Sequence, residues 1–153
     1  MQPKEYYAER AKALFTGGYN CAQAVLCAFG DVTNLPEQTA AQLASGFGGG
    51  IGRMREVCGA VSGAVMVLGI VCGYDDPQDT QAKSAHYARV QAFARRYRDE
   101  TGSIVCRDLL QGVQTTPGNE PEARTAAFYR KRPCAELVAL SAEIVADMLQ
   151  TGL

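Results

Sequence analysis

The chain has almost no surplus charge: its 153 residues carry 15 Lys and Arg against 16 Asp and Glu, a formal net charge of -1. A nucleic-acid footprint needs a basic excess gathered on one face, so that class of partner is set aside. Histidine is nearly missing, His86 being the only one, which leaves little room for histidine-rich metal sites. No charged segment followed by an apolar one opens the chain, where Met1-Gln2-Pro3-Lys4 leads into a mixed polar stretch, and a cytoplasmic location is expected. Period-two alternation is sustained nowhere, so strands are not expected. The glycine-rich segment fits no Gly-x-Gly-x-x-Gly register and no P-loop pattern occurs, which removes the dinucleotide and nucleotide-phosphate readings. Cys-x-x-Cys is absent too, and with it the thioredoxin signature, the common zinc-finger spacing and covalent haem attachment.

Long undiluted hydrophobic runs are also lacking. Val57 to Tyr74 is free of charge and touches the lower length of a membrane span, but glycine, serine and cysteine dilute it. Arg53 and Arg55 on one side face Asp75 and Asp76 on the other, with no aromatic belt. No membrane span is expected, and the segment reads as a buried, Gly/Ala-rich central helix.

What is present is helical periodicity. Residues 5–16 form a first helix stopped by Gly17-Gly18, and Asn20 caps a second with the stripe Ala22, Val25, Leu26, Phe29. Pro36 opens a third, with Glu37 at the positive end of its dipole. Gly46 to Gly52 holds five glycines in seven residues and must be a loop or a close approach of backbone. The central helix is expected from about Arg53 to Val71, followed by a long helix over 78–100 and a short one over 104–111. On the long helix Ala82, His86, Val90, Phe93 and Tyr97 share an apolar stripe, so His86 reads as a core or rim residue. Asn119 and Glu122 have capping-box spacing, and Pro133 opens the last helix, Cys134 to about Gln150. The expectation is an all-α single domain spanning 1–153, a bundle of about six to seven helices.

Six cysteines are too few for a disulfide scaffold in a chain this long. Four of them, Cys21, Cys58, Cys106 and Cys134, fall near expected helix N-termini. Free amides and the helix dipole stabilise an anion there, which lowers a thiol pKa and makes the thiolate, both nucleophile and metal ligand, available. Should these helix starts converge, the pocket could hold a metal, an iron–sulfur cluster or a redox-active disulfide. The opposing reading is that the cysteines are inert buried hydrophobes. Cys27 and Cys72 lie deeper in helices, and Cys27 points well away from Cys21.

Tyr19-Asn20-Cys21, the glycine-rich segment to Arg53, Cys58-Gly59-Ala60-Val61-Ser62-Gly63 and the single Cys106 and Cys134 together resemble the C-GCAxxG-C-C family of redox-active proteins. The resemblance covers nearly the whole chain and matches Cys21, Cys58, Cys106 and Cys134 one by one; Cys27 and Cys72 fall outside it. It implies a redox or metal role at those four residues. A similar domain joined to haem modules in the split-Soret cytochromes implies an iron–sulfur or electron-transfer role. The expected site is therefore Cys21, Cys58, Cys106 and Cys134 as ligands of an iron–sulfur cluster or, alternatively, of structural zinc, or with no cofactor as dithiol–disulfide pairs. In the disulfide version Cys58, beside Arg53 and Arg55, is expected to be the attacking thiol, with Cys21 as its resolving partner. The partner would be a redox protein or a small thiol, and the low net charge makes self-association a further expectation.

Overall fold

The computed structural model describes residues 1–152, and among them every regular element is a helix. In chain order these are α1 (Lys4–Thr16), α2 (Cys21–Ala28), α3 (Gly30–Thr33), α4 (Glu37–Ala44), α5 (Gly59–Cys72), α6 (Thr80–Thr101), α7 (Cys106–Leu109), α8 (Ala126–Lys131) and α9 (Cys134–Thr151). The all-α bundle is as the periodicity predicts. The two helices beyond the expected number, α3 of four residues and α8 of six, are too short to leave a periodic signal. No helix among the described residues is long and apolar enough to cross a membrane.

The bundle is organised around α2, whose neighbours are α1, α4, α5 and α9. Six of its eight residues are buried, Ala22 and Ala24 through Ala28, so this short helix occupies the centre that the sequence assigned to α5. Asn20 starts it as expected. The Asn20 side chain accepts from the Gln23 amide at 2.9 Å while the Gln23 side chain accepts from the Asn20 amide at 3.0 Å, satisfying two orphan donors together. Helix α9 lies along α1 and reaches α5 through Ser141, a fully buried hydroxyl that donates to the Ala60 carbonyl at 2.6 Å.

Helix α5 begins at Gly59, later than the expected Arg53. Residues before it wind the other way: Gly49, Gly50, Ile51, Gly52 and Arg53 are consecutive at positive φ, and Arg55 follows at 62°. A left-handed turn cannot run on into a right-handed helix. Three of those positions carry side chains, and Ile51 at φ 63° is a costly place for a β-branched residue. Local hydrogen bonds hold the turn, from Gly52 N to the Gly46 carbonyl at 2.9 Å and from Glu56 N to the Gly50 carbonyl at 2.9 Å. The Asn119–Glu122 spacing also fails as a cap. Residues 119–125 are not helical; α8 starts after Thr125, whose hydroxyl accepts from the Phe128 amide at 3.1 Å.

Candidate functional site

All four singled-out cysteines stand at helix starts. Cys21, Cys106 and Cys134 are the first residues of α2, α7 and α9, and Cys58 is the residue immediately before α5. These starts converge on one cavity of about 390 Å³, lined by all four thiols, the glycine turn and four arginines. Cys27 and Cys72 are elsewhere: the Cys27 thiol lies 3.7 Å from the Glu37 carbonyl, and the Cys72 thiol 3.1 Å from the Leu68 carbonyl. His86 is buried on α6 against the edge of Tyr74 and does not line the cavity.

The Cys-Gly-Ala-x-x-Gly motif has a packing explanation. Gly59 and Gly63, one turn apart, face the start of α2. A Cβ on Gly63 would come within 2.7 Å of the Ala22 carbonyl oxygen and 2.9 Å of the Val25 side chain. One on Gly59 would meet the Phe47 carbonyl at 2.9 Å and the Cys21 Cβ at 3.1 Å. The two glycines thus let α5 lie directly on α2, which sets Cys58 beside Cys21. Ala60 supplies the carbonyl that Ser141 binds, tying α9, and with it Cys134, to the same helix.

Cys106 is brought in by a two-residue antiparallel bridge between Val57 and Val105. The Cys58 amide donates to the Ile104 carbonyl at 2.8 Å, and the Cys106 amide to the Glu56 carbonyl at 2.6 Å. Cys58 and Cys106 flank the bridge on one face, as diagonal neighbours. Gly50 must be glycine for this fit: its φ is 71°, and a Cβ would stand 2.7 Å from the Cys106 Cβ.

The four thiols are in different electrostatic surroundings. Cys134 is pulled down from an ordinary 9.0 to about 7, first by the hydrogen bond from Cys21 and then, against the effect of burial, by the charges of Arg132 and Arg124. Its partner Cys21 is pushed well up, as the donor of that hydrogen bond and by burial. Burial raises Cys58 despite the Tyr97 hydroxyl, 3.4 Å from its sulfur, and the amides of Ala60 and Val61. Cys106 is also raised by burial, opposed by Arg55, whose Nη1 is 4.0 Å from the sulfur.

The two arginines expected to serve Cys58 are placed differently. Arg55 reaches Cys106. Arg53 donates to the carbonyls of Thr116 at 2.9 Å, Gly118 at 2.8 Å and Glu120, latching residues 116–122 across the cavity. Arginines not singled out from sequence serve Cys134 instead. Arg132 and Arg124 lie in an aperiodic polar stretch, and only the position of Arg132, two residues before Cys134, offered a signal. Arg124 stacks on Phe15 with 4.5 Å between guanidinium and ring centre and donates to the Phe15 and Tyr19 carbonyls at 3.1 Å. Arg132 lies over Phe128 at 4.6 Å and pairs with Glu122 at 2.7 Å.

Four thiols around one cavity are the donor chemistry of a zinc or iron–sulfur site. Their present arrangement does not fit such a group: among the described residues no three His, Cys, Asp or Glu side chains come together as a metal-holding set. Cys58 is engaged with Tyr97, and Cys106 neighbours Arg55. What the geometry presents is four free thiols around one cavity, of which Cys134 is the one whose pKa is lowered.

Fold and site together define a helical protein with a thiol cluster assembled from four helix starts. Residues 19–148 match the model of the family described as "Putative redox-active protein (C_GCAxxG_C_C)". The chain belongs to that family. No curated protein and no solved structure matches it.

Proposed function

We propose that this protein is a thiol–disulfide exchange protein in which Cys134 attacks and Cys21 resolves. The observation that carries the reading is the placement of Cys21 and Cys134, the first residues of α2 and α9, on one cavity with Arg132 and Arg124, a setting that pulls the Cys134 thiol down to about 7. The Cys134 thiolate attacks one sulfur of a disulfide R–S–S–R, whose S–S bond breaks and releases one thiolate. A mixed disulfide between Cys134 and R–S remains. Cys21 passes its proton to the thiolate first released, attacks Cys134 Sγ and expels the second thiolate, which takes a proton from solvent. The balance is two electrons passed from the protein dithiol to the small disulfide, which leaves as two thiols. Run backwards, the same steps oxidise a small thiol.

Helix-terminal amides and the two arginines favour the thiolate at Cys134, which makes it both attacking group and good leaving group. Cys58 and Cys106 are held as thiols in the same cavity and form a reserve pair. A reducing cytoplasmic compartment would suit the dithiol form.

A Cys21→Ser variant tests the assignment, since it can complete only the first half of the exchange. Treated with a small disulfide under anaerobic conditions, it should accumulate a mixed disulfide, and peptide mass mapping should place the adduct on Cys134. An adduct on Cys58 would move the attacking role to that residue. The four-thiol lining also supports thiolate ligation of an iron–sulfur cluster or zinc after rearrangement, and iron, sulfide and zinc measured on the same anaerobic preparation separate the readings. Stoichiometric metal lost on Cys58→Ser would overturn the exchange mechanism.

A further inference from the structure

The cavity is far more cationic than the chain that builds it. Arg53, Arg55, Arg124 and Arg132 line it against a single lining carboxylate, Glu122, an excess of three positive charges (four minus one) in a protein whose total is -1. Glu122 is already shared, with Arg132 at 2.7 Å, Arg53 at 3.3 Å and Arg55 at 3.9 Å. The arginines differ in what they have left to give. Arg53 is spent on the 116–122 strap, and Arg124 on backbone carbonyls and aromatic faces. Arg55 is not: its side chain is only 16% exposed, and its polar neighbours are Glu122 at 3.9 Å and the Cys106 sulfur at 4.0 Å. Its unused donors open onto the cavity, where an anionic group can complete them with charge-assisted hydrogen bonds. The remaining wall is apolar, from Leu109, Leu110, Leu137 and Phe128.

We propose that the substrate is a low-molecular-weight disulfide, or the thiol derived from it, that carries an anionic group seated on Arg55 while its sulfur meets Cys134. The assignment rests on the thiol-exchange reading above. The carbon skeleton lies against the leucines and Phe128, and a cavity of about 390 Å³ admits a small molecule but no folded partner's disulfide. Glu122 is the internal anion that the substrate's charge partly replaces. The reaction is as balanced above, with the anionic disulfide as the two-electron oxidant of Cys21 and Cys134.

The test uses reduced full-length protein and three disulfides of similar size: dithiodiglycolate, which is anionic; bis(2-hydroxyethyl) disulfide, which is neutral; and cystamine, which is cationic. Each rate is divided by that probe's rate with 2-mercaptoethanol, removing differences in intrinsic reactivity. At low salt the anionic probe should exceed the neutral one on the order of tenfold, with the cationic probe slowest, and about 0.5 M salt should compress the spread. Arg55→Gln should bring the anionic-to-neutral ratio toward one. In parallel, calorimetry measures binding of thiodiglycolate, a thioether that cannot exchange; it should bind the wild type and be lost in Arg55→Gln. Equal normalised rates with no thiodiglycolate binding overturn the anion assignment and leave the exchange reading intact. Thiodiglycolate binding without reaction of any disulfide overturns the exchange reading, and the substrate assignment with it.

Discussion

Replacing Cys21 by alanine isolates the interaction that sets Cys134 apart. The hydrogen bond from Cys21 is the largest of the effects holding Cys134 at about 7, and alanine removes the donor while Arg132 and Arg124 stay. The sign follows directly: losing a group that stabilises the thiolate moves the midpoint up, by about one pH unit for one charge-assisted bond. At pH 7 the thiolate fraction then falls from about one half to about one tenth, roughly fivefold. A more basic thiolate is also more nucleophilic, by about threefold per unit of pKa. Alkylation at pH 7 should therefore fall only about twofold, while the rate above pH 9 should rise about threefold. The two pH profiles cross, which a change in access alone cannot produce. The assay is the pH dependence of iodoacetamide labelling, read on the Cys134 peptide by mass spectrometry. A wild-type midpoint near 9, or variant and wild-type profiles that run parallel, would refute the reasoning.

Other expectations follow from the packing. Gly63→Ala should destabilise the protein by about 2 kcal/mol or more in urea unfolding, because the added Cβ overlaps the Ala22 carbonyl and Val25. Gly69→Ala, on an exposed face of the same helix with no neighbour within 4 Å of the new carbon, should stabilise by about 0.5–1 kcal/mol. Arg53→Ala removes the latch on the 116–122 strap, so hydrogen exchange should rise there and remain slow in α2 and α9. Ser141→Ala should cost about 1 kcal/mol by leaving the buried Ala60 carbonyl without its partner.

The helix framework was legible because its signals are local. Asn20, the Gly17-Gly18 stop and Pro133 act within one turn of chain, and they place two of the four cysteine-bearing starts, those of Cys21 and Cys134, without tertiary information. Cys58 was legible for another reason: Gly59 and Gly63 at a one-turn spacing announce a close helix contact, although not which helix they meet. The start of α5 was hidden, since Arg53 and Arg55 look helix-compatible and the left-handed turn is held by hydrogen bonds that composition does not reveal. The Asn119–Glu122 pattern misled because three arginines claim Glu122 for the cavity wall. That the lowered pKa falls to Cys134 while that of Cys58 is raised could not be read either. It depends first on Cys21, brought beside Cys134 from the other end of the chain, then on Arg132, and last on Arg124, which docks across Phe15.

The central claim is that Cys21 and Cys134, among six free thiols, form the redox pair. The direct measurement is mass mapping of the wild-type protein after anaerobic oxidation with one equivalent of dithiodiglycolate. The account predicts loss of two hydrogens, four remaining alkylatable thiols, and one disulfide joining Cys21 to Cys134. A disulfide between Cys58 and Cys106 with Cys21 and Cys134 still free, or six thiols untouched by the oxidant, would contradict it.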